Sequence, residues 1–329
     1  MNTWFKQLCG FEEKDPENLR ANIELEGNMM RSKANGKSMI WGKLECPSLQ
    51  ELRQTSRLSM YKESLSLREE VGNVQDFHLD PSHAAAFFQA ASQFNLLEMV
   101  DPHTTPEEGI GIYDYDKTQG PACAIACGAG TIYRNYFVEV DGQIGQKEDR
   151  QIDCLKELGE ALGNLEERLW RMQNGYALIR SEDALEEIDH KIRSSTLGER
   201  EELKSRLRIG LQWDTQVTLN ESTHLVSQAY CSALPVAYNQ LPKKHWESFA
   251  RLVLEASYEA TLHAALINFQ KTGNPKVFLT LLGGGAFGND ADWVFDSIQT
   301  VLAQFAQSPL ELIMVSYGQS NPRISELIS

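Results

Sequence analysis

The stretch LTLLGGGAFGND places Gly283, Gly284 and Gly285 directly after a run of aliphatic residues. Glycine has no Cβ, so three in succession let the backbone take φ > 0 and let a ligand approach closely. Backbone N–H groups in such a loop, at the start of a helix, favour phosphate. The spacing is not that of a Walker A loop, since no Gly-Lys-Ser/Thr follows, nor that of a GxGxxG turn after a first strand. A glycine-rich turn with a packing role alone is the alternative. It adds backbone freedom to the unfolded chain without compensation, which favours a ligand. Asp290 and Asp292 are both negative, and either can cap the following helix. A phosphate here must therefore sit on the glycine amides, away from those carboxylates.

Other residues carry reactive groups. Asp214, in LQWDTQVT, is ionisable between apolar neighbours and next to a loop; Glu221 follows shortly after it. A carboxylate so placed activates water or stabilises positive charge, or else is a cap or a surface ion pair. Asp116, Asp141, Asp149 and Asp153 are further candidates without rank. His224 and Cys231 suggest a nucleophile and base, but that pair needs spatial contact, and the small residues around Cys231 read as a packed core strand. No metal site is expected. There is no HExxH, His78 and His83 have no evident partner ligand, and Cys123 and Cys127 lack a second pair. Acid clusters leave Mg²⁺ open.

The elements that position these residues follow from pattern. VFLTLL (strand), GGGAFGND (loop), ADWVFDSIQTVLAQF (helix) and LELIMVSYG (strand) form a β–loop–α–β unit, hence a parallel pair with a crossover helix. Both strands are apolar almost throughout, so both faces should be covered, and the fold class is α/β. HWESFARLVLEASYEATLHAALINFQ reads as a long helix ended by Gly273 and Pro275. HAAAFFQAASQFNLLEM has little polar face and belongs to the interior, as a strand or a helix. QGPACAIACGAGTIYRNYFVEV opens with a turn, and its run from Tyr133 to Val140 reads as a strand. Residues 147–208 read as a helical insertion, with Ile152, Leu155, Leu158 and Leu162 at helical spacing and a capping box at Thr196 and Glu199. Residues 1–73 are polar and mixed and read as a peripheral segment, with SLQELRQTSRLSMYKESLSLREE as a polar helix or two.

The chain has 329 residues, a formal net charge of −15, 42% hydrophobic and 23% charged residues. This is the composition of a globular protein. Its acidity argues against broad nucleic-acid or anionic-membrane surfaces, so neither is expected as a partner. Six scattered cysteines argue for free thiols rather than a disulfide framework. The N-terminal residues have no apolar core of signal-peptide length, and no apolar run approaches a membrane span. The expected compartment is the cytosol, or a host cytosol for a protein exported by a dedicated secretion system.

GGGAFGND followed by an amphipathic helix and LIMVSYG resembles the C-terminal diphosphate loop of macrodomains. The similarity is strongest to the poly(ADP-ribose) glycohydrolase-like branch, where Gly-x-Gly-x-Phe-Gly-x-Asp precedes the last helix and strand. FQAASQFNLLEM resembles the macrodomain strand ending in Ala-x-Asn, and TQGPACAIACGAG then occupies the place of the glycine-rich loop after it. With QWDTQVT and SQAYCSALPVAY, the set is similar to divergent arginine-specific ADP-ribosyl hydrolases. The resemblance covers most of residues 74–145 and 209–318. It implies a macrodomain-like mixed sheet flanked by helices over residues 74–329, binding ADP-ribose with no required cofactor. It also implies a hydrolase that removes mono-ADP-ribose from a modified protein, with arginine as the linked side chain. Asn95 would lie near the distal ribose, and Gln119 and Gly120 would bind the ligand from the glycine-rich loop position. Gly283, Gly284, Gly285, Ala286, Phe287, Gly288, Asn289 and Asp290 would form the diphosphate loop, with Phe287 packing on the ribose or base, or anchoring the loop in the core. Asp214, then Glu221, would supply the carboxylate at the anomeric carbon. The Gly-Gly-Gly…Gln-Glu-Glu signature of the glycohydrolases is absent, which puts trimming of poly(ADP-ribose) chains in doubt. A non-catalytic ADP-ribose reader and a hydrolase of a free ADP-ribose-type metabolite are the alternatives.

Overall fold

A computed structural model describes residues 3–328. Its centre is a seven-stranded mixed sheet. Across the sheet the order is Lys43–Glu45, Gly210–Gln216, Leu225–Cys231, Phe87–Ala91, Lys276–Leu279, Glu311–Ser316 and Ser66–Val71. The last five run parallel, and Gly210–Gln216 is antiparallel to both of its neighbours. The expected β–loop–α–β unit is present, with Lys276–Leu279 paired in parallel to Glu311–Ser316 and helix Ala291–Gln304 between them. Phe88 and Phe278 sit opposite each other in register and stack at 4.4 Å. The Phe87–Ala91 strand is buried along nearly its whole length, as a sheet covered on both faces requires.

Helix Glu247–Thr272 crosses one face and packs on Ala291–Gln304 and Leu49–Ser56. Gln119–Ala126 and Gly128–Tyr136 cover the other. This second pair corrects the sequence reading, because Tyr133 to Val140 is not a strand. The helix runs to Tyr136, and only Glu139–Val140 pairs, with Gln143–Ile144. Its aromatic and β-branched residues favour a strand, but Ala129, Ile132 and Tyr136 fall on one buried helical stripe, and packing decides.

Residues 147–208 are not helical throughout. Helices Lys156–Leu162, Glu182–Ser194 and Leu197–Ser205 are interrupted by the hairpin Trp170–Gln173/Tyr176–Ile179. Its turn is Asn174-Gly175, both at positive φ, a pairing that suits a two-residue hairpin. The capping box at Thr196 and Glu199 is formed. Residues 3–73 do not form one separate layer. They build a small three-stranded sheet and also supply both edge strands of the central one. The stretch read as a polar helix or two is helix Leu49–Ser56 and a 3-10 turn at Leu58–Met60, followed by the edge strand Ser66–Val71.

A buried ion network fixes this segment to the core. Glu259 on the long helix accepts from Arg53 Nε at 2.6 Å and lies 3.4 Å from Lys204 Nζ. Burial raises the Glu259 carboxyl, but hydrogen bonds from His263 and Arg53 and the charges of Lys204 and Arg53 bring it down from 4.5 to about 2. A depressed folded pKa contributes stability above pH 4.5 that is lost as pH falls from there toward 2. Glu259→Gln is expected to cost about 3 kcal/mol and to flatten the acid limb of melting temperature against pH. An unchanged acid limb in thermal melts would show that the network contributes nothing there.

Candidate functional site

The carboxyl ends of the parallel strands share one rim, where ligands of open α/β sheets gather. A cavity of about 260 Å³ opens there, lined by Gln93, Glu98, Gln119, Gly120, Tyr176, Tyr238 and the glycine loop. A second, of about 980 Å³, adjoins it beside Asn73, Ser316 and Tyr317. Asp116, Thr118, Gln119, Thr280 and Leu281 line both, so the two form one trough.

The glycine loop is tightly held at its ends and open in its middle. Tyr258 donates to Thr280 O and accepts from Leu282 N–H, which pins the entry. Asn289 N–H donates to Gly283 O, and its side-chain amide donates to Leu234 O, which closes the exit. Gly283 and Gly288 have φ of +69° and +70°, so these positions require glycine. Gly284 and Gly285 do not have positive φ. A Cβ on Gly285 would meet nothing within 4 Å, and Gly285, Ala286 and Phe287 face the cavity. Their N–H groups, with that of Gly283, donate no hydrogen bond among the described residues. Such groups suit an anion. Asp290 caps the helix by accepting from Asp292 N–H, and Asp292 is paired with Arg323 at 2.8 Å. Neither lines the cavity. Phe287 lies against Tyr176 and Tyr238, at 5.4 and 5.7 Å between ring centroids. It thus anchors the loop and also faces the cavity.

The opposite wall is the turn after strand Phe87–Ala91. Gln93 N–H donates to Leu97 O, Gln93 Oε1 accepts from Met99 N–H, and Leu96 takes a φ of +66°. This tight reversal aims Glu98 back into the cavity. Glu98 is 3% exposed, and its Oε1 has no hydrogen-bond partner among the described residues. Burial raises its carboxyl well above the usual range; the Arg134 charge opposes this and Asp116 adds to it. Arg134 is itself buried, stacked 3.6 Å from the Tyr230 ring and donating to Leu96 O and Gln212 Oε1. Gly120 permits the arrangement. A Cβ there would stand 1.9 Å from Ala91 O and 2.3 Å from Glu98 Oε2.

The sequence candidates divide accordingly. Gln119, Gly120, Gly283, Gly285, Ala286 and Phe287 converge on the cavity. Gln119 bridges Ala91 N–H and Gln89 O, so its side chain builds the wall. Gly284, Gly288, Asn289 and Asp290 shape the loop from outside the lining. Asn95 is fully buried behind the wall, donating to Gln151 and accepting from Leu97 N–H. Asp214 and Glu221 are exposed and line neither cavity. Asp214 sits at a bulge opposite Ser227, four residues or roughly 13 Å along the strand from Cys231 at the cavity. Its φ of +50° reflects that bulge. His224 lies at the same far end and contacts Ser222 and His78 O, so it cannot serve Cys231. Burial pushes the Cys231 thiol up to about 12.

No family model matches the sequence, and no curated protein matches it. Among solved structures, the chain is similar to poly(ADP-ribose) glycohydrolase from Deinococcus radiodurans in complex with ADP-ribose. The TM-score is 0.46 at 11% identity, covering 86% of this chain and 91% of that one. It is also similar to poly(ADP-ribose) glycohydrolase from Thermomonospora curvata, with TM-score 0.43 at 11% identity over 94% of each chain.

Glu98 was missed because its neighbours, LLEMV, are apolar, and a glutamate there reads as incidental. The available signal was an acid inside an uninterrupted apolar run, since glutamate is rarely fully buried unless paired. Tyr176 was missed with its hairpin.

Proposed function

We propose that this protein is an ADP-ribosyl hydrolase that releases mono-ADP-ribose from a modified protein, with arginine as the linked side chain. One observation carries the reading. A loop whose N–H groups at Gly285, Ala286 and Phe287 have no hydrogen-bond partner among the described residues lines one cavity with a buried carboxyl whose Oε1 has none either. The macrodomain resemblance of GGGAFGND supplies the ligand class. The diphosphate rests on Gly285, Ala286 and Phe287, the distal ribose faces Glu98, and the adenosine extends along the trough toward Tyr317.

Cleavage at the anomeric carbon passes through an oxocarbenium-like state. A guanidine leaving group is strongly basic and must depart protonated. Glu98, whose carboxyl burial biases toward the protonated form, is the proton donor in this reading. Asp116, which also lines the cavity, supplies a carboxylate toward the developing positive charge, and water adds to the anomeric carbon as the carbon–nitrogen bond breaks. No metal is needed for either role.

The test is incubation with an arginine-ADP-ribosylated protein. Release of free ADP-ribose supports the proposal. Tight binding without release identifies a reader, and turnover of free nucleotides alone identifies a metabolite hydrolase. Glu98→Gln, Asp116→Asn and Asp214→Asn measured side by side decide which carboxyl groups act.

A further inference from the structure

Glu13, in the N-terminal segment, lines neither cavity of the trough. Its carboxylate nevertheless gathers donors from two elements that frame the site. Ile110 N–H donates to Oε1 at 3.0 Å, Gly111 N–H donates to Oε2 at 2.6 Å, and the Tyr136 hydroxyl donates to Oε1. Two glycines make room for it. A Cβ on Gly109 would stand 2.7 Å from the Glu13 carboxyl carbon, and one on Gly111 would stand 2.7 Å from Oε2. Trp4 fastens the same loop at two further points. Its backbone N–H donates to Asp114 Oδ2 at 2.7 Å, and its indole N–H donates to Ile110 O at 3.0 Å.

Both elements that Glu13 grips reach Glu98. The loop carries Tyr113, which is 1% exposed and whose hydroxyl accepts from Glu98 N–H at 2.9 Å. The same loop ends at Asp116, whose N–H donates to Tyr113 O. Helix Gly128–Tyr136 carries Arg134, which donates to Leu96 O at the reversal before Glu98. Leu97 and Met99, on either side of Glu98, share one apolar cluster with Trp4, Phe5, Leu8 and Tyr113. We propose that Glu13 is a positioning residue for the site, fixing residues 110–116 and helix Gly128–Tyr136 so that Glu98 and Asp116 keep their places in the cavity. This role rests on the ADP-ribosyl hydrolase reading. A carboxylate suits it because hydrogen bonds to a charged acceptor are shorter and stronger than neutral ones. The N-terminal segment is then part of the working site rather than an attachment to it.

The experiment compares Glu13→Gln with the parent, both as the full chain. The amide turns its NH₂ against at least one of the donors, so the loop loses part of its hold. Hydrogen exchange is expected to quicken about tenfold at Ile110, Gly111 and Glu98, while residues 283–288 exchange as before. Release of ADP-ribose from an arginine-ADP-ribosylated protein should slow on the order of 10²-fold, with ADP-ribose affinity unchanged in calorimetry. Tyr136→Phe removes one donor, should slow release about tenfold in the same way, and carries the test if Glu13→Gln does not fold. Faster exchange that spares Glu98, an unaltered rate in a folded variant, or affinity lost as steeply as rate would each overturn the assignment. A parent that releases no ADP-ribose overturns the hydrolase reading instead, and exchange at Glu98 then decides by itself whether Glu13 holds that residue.

Discussion

Glu98→Gln is expected to lower the rate of ADP-ribose release by about 10³-fold while leaving ADP-ribose affinity nearly unchanged. The substitution keeps the shape and the packing against Gly120 but removes the acidic proton. Burial dominates the raised carboxyl, with Asp116 reinforcing it and Arg134 opposing it. The donating, protonated form therefore persists to higher pH than in an ordinary glutamate and is lost as pH rises past the raised value. The turnover rate should accordingly fall on the alkaline side, and that limb should disappear from the residual activity of Glu98→Gln. A pH profile with its limb unchanged in the variant assigns the ionisation to another group. Removing the charge site also leaves no buried carboxyl to ionise, so the variant should melt no lower than the parent.

Much of this arrangement was legible in sequence because it depends on local chemistry. The glycine loop declared itself through three glycines after an aliphatic strand, and the strand–helix–strand unit through hydrophobic runs of distinct length. The long helix ended at Gly273, as its pattern required. What stayed hidden depends on which segments meet. Asp214 looked exceptional between Trp213 and Thr215, but a bulge turns it to solvent at the far end of the sheet. Glu98 looked ordinary, and only the reversal at Leu96 brings it to the rim. The run from Tyr133 to Val140 reads as a strand from propensity, and what holds its first half in helix Gly128–Tyr136 is long-range, such as the stacking of Tyr133 on Trp41 at 3.6 Å. Asn95 illustrates the converse. Its polarity suggested a ligand, and the fold uses that polarity to close a turn.

The glycine loop itself separates binding from folding, because its glycines are needed for different reasons. Gly285 faces the cavity in a backbone conformation any residue can adopt, with open space where a Cβ would go. Gly285→Leu should therefore fold normally and place its side chain where the diphosphate approaches. The expected loss in ADP-ribose affinity is on the order of 100-fold, or about 2.8 kcal/mol, with the melting temperature unchanged. Gly283→Ala should do the reverse. Its φ of +69° and a Cβ 2.5 Å from both the Ala233 Cβ and the Asn289 side chain put strain into the fold. That strain costs about 1–3 kcal/mol of stability, and affinity falls only as far as the loop is disturbed. Gly284 contributes less to either, since it lies outside the lining and its Cβ would make ordinary contacts at 3.6 Å. Calorimetry and melting curves on the three variants read the two effects independently. Full ADP-ribose affinity in Gly285→Leu would remove the loop from the binding site, because Gly285 lines the cavity beside those N–H groups.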